Sequence, residues 1–229
     1  IKGLLIDLDH TLYDYEKPHA AGLSAALHFL STHSTISRHQ WKRAYDQARA
    51  NVHRSLEGTA SSHNRLLYFQ EACELLKVKP FHLAHDAYKL YWKIYIQHMR
   101  PFPGLDHFLK SVQSKKLCLI TDQTADIQFQ KVKKLKLDKY IQMMVTSEEA
   151  GIEKPHPKVF RLALKKLNLK THEVVMIGDD FKKDILGASR LGIQSIWFNA
   201  HKRREKYLKR LNIIECGSMR ELTQAIHKL

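Results

Sequence analysis

The fold is decided by residues 3–9, GLLIDLD, in which a short apolar run ends at two aspartates. Such a run predicts a strand that is buried on both faces, as in a parallel sheet. Further short apolar runs alternate with amphipathic helical patterns downstream. The predicted strands are 3–8, 117–121, 143–146, 174–178 and 194–198, and the predicted helices are 105–114, 125–136, 156–168 and 183–191. This order indicates an α/β fold, a Rossmann-like parallel sheet core with helices on both faces.

Residues 14–100 interrupt this alternation, because they contain no strand pattern. Ser37 and Gln40 form a capping-box pattern ahead of one helix, and Gly58 is placed to end it. The other apolar stripes are Leu23, Leu27 and Leu30; Leu66, Phe69, Cys73 and Leu76; and Leu83, Ala87, Leu90 and Ile94. Pro101-Phe102-Pro103-Gly104 then breaks the pattern. We therefore predict an all-helical domain, 14–100, inserted into a core domain formed by 1–13 and 101–229.

The composition excludes several classes of protein. The chain has 229 residues, of which 44% are hydrophobic, and its apolar runs are far shorter than the roughly 20 residues that a membrane span needs. The cysteines Cys73, Cys118 and Cys216 lie far apart, which argues against a disulfide framework or a zinc site. We predict a cytoplasmic protein that does not bind membranes.

Polar side chains follow three of the predicted strands. These side chains are Asp7 and Asp9, Thr121, and Asp179 and Asp180. The carboxyl ends of parallel strands meet in one crevice, where several carboxylates would repel each other unless a cation lay between them. Oxygen ligands favour Mg²⁺, which in turn favours phosphate substrates.

The same residues offer phosphoryl-transfer chemistry. A carboxylate such as Asp7 can attack phosphorus, and a second one at Asp9 can protonate the leaving oxygen and then activate water. The Thr121 hydroxyl and the Lys154 ammonium can bind phosphoryl oxygens. Asp180 is expected to lie at a helix N-terminus, where acids are favoured, and not to bind metal.

Four ordered motifs resemble those of the haloacid dehalogenase-like hydrolases. They are Asp7-Leu8-Asp9-His10-Thr11, Leu119-Ile120-Thr121, Lys154-Pro155-His156-Pro157 and Gly178-Asp179-Asp180-Phe181-Lys182-Lys183-Asp184. They span the chain, and the helical insertion between the first two resembles the α-helical cap that closes over the site and selects the substrate in this family.

The resemblance implies a role for each matching residue. Asp7 would be the nucleophile and an Mg²⁺ ligand, and Asp9 would be the general acid/base and would bind Mg²⁺ through its backbone carbonyl. Asp179 would bind the metal directly, and Asp184 would support it through its waters or hold Lys154. Because dehalogenases of the family lack an acid at the position of Asp9, the resemblance favours a phosphatase.

Two positions depart from the usual family pattern. His10 stands where Gly or Asn is common, and Asp122-Gln123 follows Thr121 where Asn-Gly is common. We predict that His10 and Asp122 contact the substrate; the alternatives are a loop residue and a turn residue, respectively.

The expected substrate is a small phosphomonoester of the sugar phosphate or nucleoside monophosphate type. A phosphotransferase such as a sugar phosphomutase is the alternative, and a 2-haloacid dehalogenase or a nucleic-acid-binding protein is less favoured. The net charge of +15 includes a basic run, 202–210, which is either solvated surface or attracts phosphorylated anions from a distance. The expected assembly is a monomer or homodimer.

Overall fold

A computed structural model describes residues 1–205 and 213–229 of the chain. The chain divides into two compact units. The core unit consists of Ile1–Asp14 and Arg100–Leu229, and the helical unit consists of Tyr15–Met99. In the core unit, the segment that leaves for the helical unit and the segment that returns are paired, since Phe102 N donates to Leu12 O over 3.0 Å.

The core unit contains a parallel sheet, as the sequence predicted, but with six strands among the described residues where five were predicted. Its strands are β1 (Gly3–Ile6), β2 (Lys116–Thr121), β3 (Met143–Thr146), β4 (Val174–Gly178), β5 (Gln194–Phe198) and β6 (Ile214–Cys216). Their order in the sheet is β3-β2-β1-β4-β5-β6, and all five pairings are parallel. The central strand β1 is apolar and buried throughout because its neighbours and the flanking layers cover both faces.

The α-helices of the core unit connect the strands. Those with at least seven residues are Leu105–Ser111, Ala125–Lys134, Pro157–Leu167 and Met219–His227; Ser147–Ala150 and Gly187–Ser189 are single turns. We number the α-helices of the described residues in chain order. Leu105–Ser111 is α5, Ala125–Lys134 is α6, Ser147–Ala150 is α7, Pro157–Leu167 is α8, Gly187–Ser189 is α9 and Met219–His227 is α10. Helix α8 packs Val159, Phe160 and Ala163 against the sheet residues Cys118 and Met176. The predicted α/β core is therefore confirmed.

The helical unit contains the first four helices of this numbering. They are α1 (Glu16–Thr32), α2 (Arg38–Ser55), α3 (Arg65–Leu75) and α4 (Pro80–His98). The predicted capping box is present, because Ser37 accepts from Gln40 N and the Gln40 side chain accepts from Ser37 N. Helix α2 ends at Ser55, three residues before Gly58.

Two predicted apolar stripes of the helical unit were partly wrong. The buried face of α4 carries Ala84, Ala87, Tyr91, Trp92 and Tyr95, so that Leu83, Leu90 and Ile94 are only partly buried. The large rings occupy the interior, because they remove more apolar surface from water than the aliphatic side chains. In α3, the buried face begins with a charged residue, Arg65, and continues with Tyr68, Phe69, Ala72 and Cys73.

The end of the chain was not foreseen in full. Strand β6 has only three residues, which are too few to form a pattern. Helix α10 was not predicted, although it buries Met219, Leu222 and Ile226 at helical spacing. The predicted helix 183–191 is instead a π-helical segment, Phe181–Leu186, followed by α9. No helix within the described ranges is long and apolar enough to cross a membrane.

Candidate active site

Asp7 lies directly after β1 and is almost completely buried. Its backbone N–H donates to Ile177 O over 2.9 Å, which extends the pairing of β1 with β4 by one residue. Its carboxylate accepts two hydrogen bonds, from Thr11 Oγ1 at 2.9 Å to Oδ2 and from Lys154 Nζ at 2.6 Å to Oδ1. The side chain is therefore held in one orientation by groups on both oxygens.

Lys154 connects two of the predicted acidic residues. Its ammonium lies 2.6 Å from Asp7 Oδ1 and 2.7 Å from Asp184 Oδ1, and it also donates to Ile120 O over 3.2 Å. Burial alone would lower the pKa of Lys154, but the charges of Asp184 and Asp7 outweigh it and raise the pKa well above its usual value. Lys154 is therefore a buried cation that compensates two carboxylates.

Three acidic residues converge from two strand ends. Single carboxylate oxygens of Asp7, Asp179 and Asp184 lie within 4.8 Å of one another. Asp184 fits close to the chain because residue 178 is glycine: a Cβ at that position would lie 2.2 Å from Asp184 Oδ2. Oxygen ligands in this number suit a hard divalent cation.

The proximity of these carboxylates disfavours their ionisation. Burial raises the pKa of Asp7 and of Asp184 above their usual values, against the opposing effect of Lys154. Burial and the neighbouring Asp7 raise the pKa of Asp179 to about 7. One lysine therefore does not compensate the group fully, and the donor set fits a divalent cation.

The side chain of Asp9 is held separately, by residues that the sequence analysis did not identify. Lys131 Nζ lies 2.7 Å from Asp9 Oδ1 and 3.0 Å from Asp9 Oδ2, Gln128 Nε2 lies 3.4 Å from Oδ2, and the Tyr13 hydroxyl donates to Oδ1. Burial works to raise the pKa of Asp9, but the charge and hydrogen bonds of Lys131 outweigh it and lower the pKa.

Helix α6 carries both of these previously unidentified residues. Gln128 and Lys131 are completely buried and three residues apart, on one face of α6. Gln128 Nε2 also donates to Thr121 Oγ1 over 2.5 Å, so the helix after β2 links Thr121 to Asp9. The available signal was a lysine and a glutamine at helical spacing on a face that otherwise carries apolar residues.

The two predicted substrate contacts have structural partners. Asp122 Oδ1 accepts from Lys154 N over 3.0 Å, and Asp122 Oδ2 lies 3.1 Å from Lys183 Nζ. His10 has a φ of 61°, which explains why glycine suits this position, and its ring contacts the His201 ring at a centroid distance of 5.5 Å. Substrate binding by His10 and Asp122 stays a prediction.

One cation of the basic run lies at the predicted site, a contact that neither expectation for the run included. Attraction of phosphorylated anions by the run stays a prediction. Arg203 Nη1 lies 3.1 Å from Asp179 Oδ2, so one of the run's cations touches a predicted metal ligand. Trp197 Nε1 also donates to Asp179 O over 2.8 Å. Asp180 is the N-cap of the π-helical segment, as expected, and accepts from Lys182 N and Lys183 N. Lys206, Lys209 and Arg210 lie outside the described residues.

The parallel sheet therefore carries buried carboxylates and a lysine at its carboxyl edge, where doubly wound folds bind their ligands. The chain belongs to the haloacid dehalogenase-like hydrolases, whose family model matches residues 4–198. The family predicted from the four motifs is thereby confirmed.

Several known proteins are similar to this chain. Ribulose-1,5-bisphosphate 5-phosphatase of Halopiger xanaduensis is 36% identical over 203 residues, which cover 86% of this chain and 84% of that protein. Glyceraldehyde 3-phosphate phosphatase of Methanocaldococcus jannaschii is 26% identical over 100% of this chain and 98% of that protein. A solved HAD phosphatase from Thermococcus onnurineus has a TM-score of 0.79 at 21% identity, with 99% of this chain and 98% of that chain covered.

One solved dehalogenase shares the fold as closely as the solved phosphatase does. A solved 2-haloacid dehalogenase from Pseudomonas syringae pv. tomato has a TM-score of 0.80 at 21% identity. The match covers 100% of this chain and 99% of that chain. At this identity the likeness concerns the fold alone. The residues of the site therefore have to separate the two activities.

Proposed function

We propose that this chain is an Mg²⁺-dependent phosphatase that hydrolyses a small phosphomonoester through a phosphorylated Asp7. The curated relatives named above are phosphatases of small sugar phosphates, which supports this class of substrate. The particular substrate that we favour is a phosphorylated sugar, with a nucleoside monophosphate as the second possibility, since one relative is named a pyrimidine 5'-nucleotidase.

The observation that carries the proposal is the pair of aspartates after β1. Asp7 is buried against Lys154, whereas Asp9, two residues later, is oriented by Lys131 through both of its oxygens. A halide leaves without a proton, but an alkoxide does not, so an oriented second carboxylate serves phosphate ester hydrolysis. This arrangement favours a phosphatase over a dehalogenase.

The residues present fit a magnesium ion. Asp7, Asp179 and the backbone carbonyl of Asp9 would hold it, with Asp184 supporting the site, and when bound the ion would supply positive charge that stabilises the transferring phosphoryl group. Asp184 Oδ1 also lies 2.7 Å from Lys154 Nζ. Asp184 would therefore position Lys154 whether or not it also supports the metal.

The side chains of the site divide the reaction into two halves. Asp7 forms a bond to phosphorus while the bond from phosphorus to the ester oxygen breaks, and Asp9 donates its proton to that oxygen. Water then attacks phosphorus while the bond from phosphorus to the Asp7 oxygen breaks. Asp9 accepts a proton from the water, inorganic phosphate leaves, and the Asp7 carboxylate is regenerated. Lys131 favours the ionised form of Asp9, which is the form needed in the second half.

The remaining predictions extend the proposal to the whole chain. The helical unit, Tyr15–Met99, would serve as the cap that selects the substrate. The partner would be a small phosphorylated metabolite, the location would be the cytoplasm, and the assembly would be a monomer or homodimer. Thr121 and Lys154 would bind phosphoryl oxygens.

Phosphate release from a panel of phosphorylated metabolites tests the proposed function. We expect turnover of at least one phosphomonoester with Mg²⁺ and none in excess chelator. Turnover that persists in chelator would rule out the metal requirement, and a complete lack of turnover on the panel would rule out the phosphatase. Analysis of the organic product separates hydrolysis from a phosphomutase, which moves the phosphate and releases none.

Replacing Lys131 tests the assignment of Asp9. In Lys131→Met, Asp9 loses two hydrogen bonds and its compensating charge, so we expect kcat to fall by about 10- to 100-fold while KM changes little. With p-nitrophenyl phosphate, whose leaving group needs little protonation, the phosphoenzyme should still form and should accumulate. Steady-state kinetics measure kcat and KM, and rapid acid quench with substrate labelled in its phosphate measures the phosphoenzyme.

The matched control for this experiment is Lys134→Met on the same helix. Lys134 is exposed near the end of α6, so its loss removes the same charge without touching Asp9. We expect this variant to retain wild-type kcat. A folded Lys131→Met protein with the kcat of the Lys134→Met control would show that Lys131 does not position Asp9.

A further inference from the structure

Arg65, the first residue of α3, is buried inside the helical unit although its side chain is positively charged. Only 6% of the residue is exposed, and no carboxylate among residues 1–205 and 213–229 forms an ion pair with it. A buried arginine is normally paired with an anion, because an uncompensated charge is strongly disfavoured away from water. The helical unit does not provide that anion.

Aromatic rings and neutral oxygens surround the guanidinium. Its Cζ atom lies between 5.5 and 5.9 Å from the ring centroids of Tyr15, Tyr68, Tyr91 and Trp92. Arg65 Nη1 donates to His63 O over 2.5 Å and Nη2 donates to the Tyr15 hydroxyl, but Nε has no hydrogen-bond partner. The rings attract the cation through their π electrons, yet they bring no negative charge.

Tyr45 is a second buried donor without a partner in the same group of side chains. Its hydroxyl makes no hydrogen bond, and the ring of Tyr68 contacts both Tyr45, at a centroid distance of 5.9 Å, and the guanidinium of Arg65. Burial raises the pKa of Tyr45, so the hydroxyl keeps its proton at neutral pH. Buried donors are almost always satisfied in native proteins, and two unsatisfied ones beside a cation indicate an acceptor that the chain does not supply.

Arg65 is the buried cation of this group of side chains, and part of the group reaches solvent. His19 stacks on Tyr15, and burial together with the charge of Arg65 lowers the pKa of His19 to about 4, so that this ring is neutral at pH 7. Tyr15, His19 and His63 are only partly buried, so part of this group of side chains is exposed to solvent.

We propose that Arg65, Tyr45 and the surrounding tyrosines form a phosphate-binding site of the helical unit, separate from the carboxylates of the core unit. We call it the Arg65 site. A guanidinium presents its N–H groups in a plane that suits two phosphate oxygens, and the Tyr45 hydroxyl donates to a third. The phosphate would come either from a second phosphate group on the substrate, which makes the substrate a bisphosphate, or from free inorganic phosphate.

Calorimetric titration with inorganic phosphate tests the site in the full-length protein. The titration is done in chelator, where the carboxylates of the core unit repel the anion and do not contribute. We expect the wild type to bind one phosphate, Arg65→Met to bind at least about tenfold more weakly, and Tyr45→Phe about threefold more weakly, since one donor is lost in each case. Absence of saturable binding to the wild type would overturn the proposal.

Two controls separate loss of the site from loss of the fold. Arg43→Met removes the same charge from an exposed position on α2 and should bind phosphate like the wild type. Tyr45→Phe removes only a hydroxyl that has no partner, so this variant should unfold at the wild-type temperature or above it. Phosphate binding that is equally strong in the wild type, Arg65→Met and Tyr45→Phe would also overturn the proposal.

Steady-state kinetics then identify the source of the phosphate. This arm rests on the proposed function, whereas the titration does not. If the substrate carries the phosphate, Arg65→Met lowers kcat/KM for a sugar bisphosphate by at least about tenfold. The same variant changes kcat/KM for the matching monophosphate by no more than about threefold. If free phosphate is the ligand, Arg65→Met weakens phosphate binding in the titration. The ratio of kcat/KM for the bisphosphate to kcat/KM for the monophosphate then stays at its wild-type value. Wild-type turnover of neither substrate would refute the phosphatase alone and leave the titration to decide on the site.

Discussion

The Asp7→Asn variant is expected to fold and to release less than ~1% of the phosphate that the wild type releases. The amide has nearly the shape of the carboxylate, so the buried position after β1 is retained. It lacks the charge that attacks phosphorus, and it places an N–H group or an uncharged oxygen opposite Lys154 Nζ, which lies 2.6 Å from Asp7 Oδ1. Phosphate release with saturating Mg²⁺ measures the loss.

A labelled phosphoenzyme provides a second readout for the same residue. Acid quench of the wild type during turnover should trap phosphate on the protein in a form that hydroxylamine removes, and Asp7→Asn should trap none. Asp180→Asn is the matched control, because asparagine caps a helix as well as aspartate and the Asp180 carboxylate accepts from Lys182 N and Lys183 N. Wild-type turnover by a folded Asp7→Asn protein would refute the assigned nucleophile.

The Lys154→Met variant is expected to lose both activity and stability. Lys154 is the buried cation between Asp7 and Asp184, at 2.6 and 2.7 Å, and its removal leaves buried carboxylates without compensation. Breaking a buried pair of this kind typically lowers the free energy of unfolding by about 3–5 kcal/mol. We expect a loss of kcat of at least about 100-fold, because the cation that orients the nucleophile is missing.

Denaturant unfolding and kinetics test this prediction together. Lys166→Met is the control for stability, since Lys166 forms a partly exposed pair with Glu149 at 2.7 Å and its loss should change the free energy of unfolding by no more than about 1 kcal/mol. Without metal, the Lys154→Met protein should unfold at a lower denaturant concentration than this control. Equal midpoints for the two variants would show that Lys154 does not compensate the carboxylates.

Much of the core unit was predictable because its signals are local. Each interior strand is a short apolar run, since a parallel sheet buries both faces of its strands. A polar residue ends or directly follows each strand that contributes to the site. The short strand β6 was missed because three residues are too few to form a pattern. The π-helical segment that carries Asp184 was predicted as an ordinary helix, since six residues are too few to distinguish i→i+5 from i→i+4 spacing.

The cations of the site were only partly predictable. Lys154 belongs to a motif, so its place beside Asp7 could be expected although 147 positions separate the two residues. Lys131 belongs to no quoted motif, and its pairing with Asp9 joins residues 122 positions apart. The basic run was expected either to be solvated surface or to attract anions from a distance, and neither expectation included the ion pair of Arg203 with Asp179.

The sequence by itself determined which chemical groups this protein has and in which order they follow the strands, because that information is contained in residue type and short-range spacing. Only the tertiary structure decided which cation compensates which carboxylate, and which cation has no carboxylate. Arg65 shows the difference: in the sequence it is one of 38 basic residues, and in the fold it is buried among tyrosines. The physical reason is that desolvation and pairing depend on distances between residues remote in the chain, which no local pattern records.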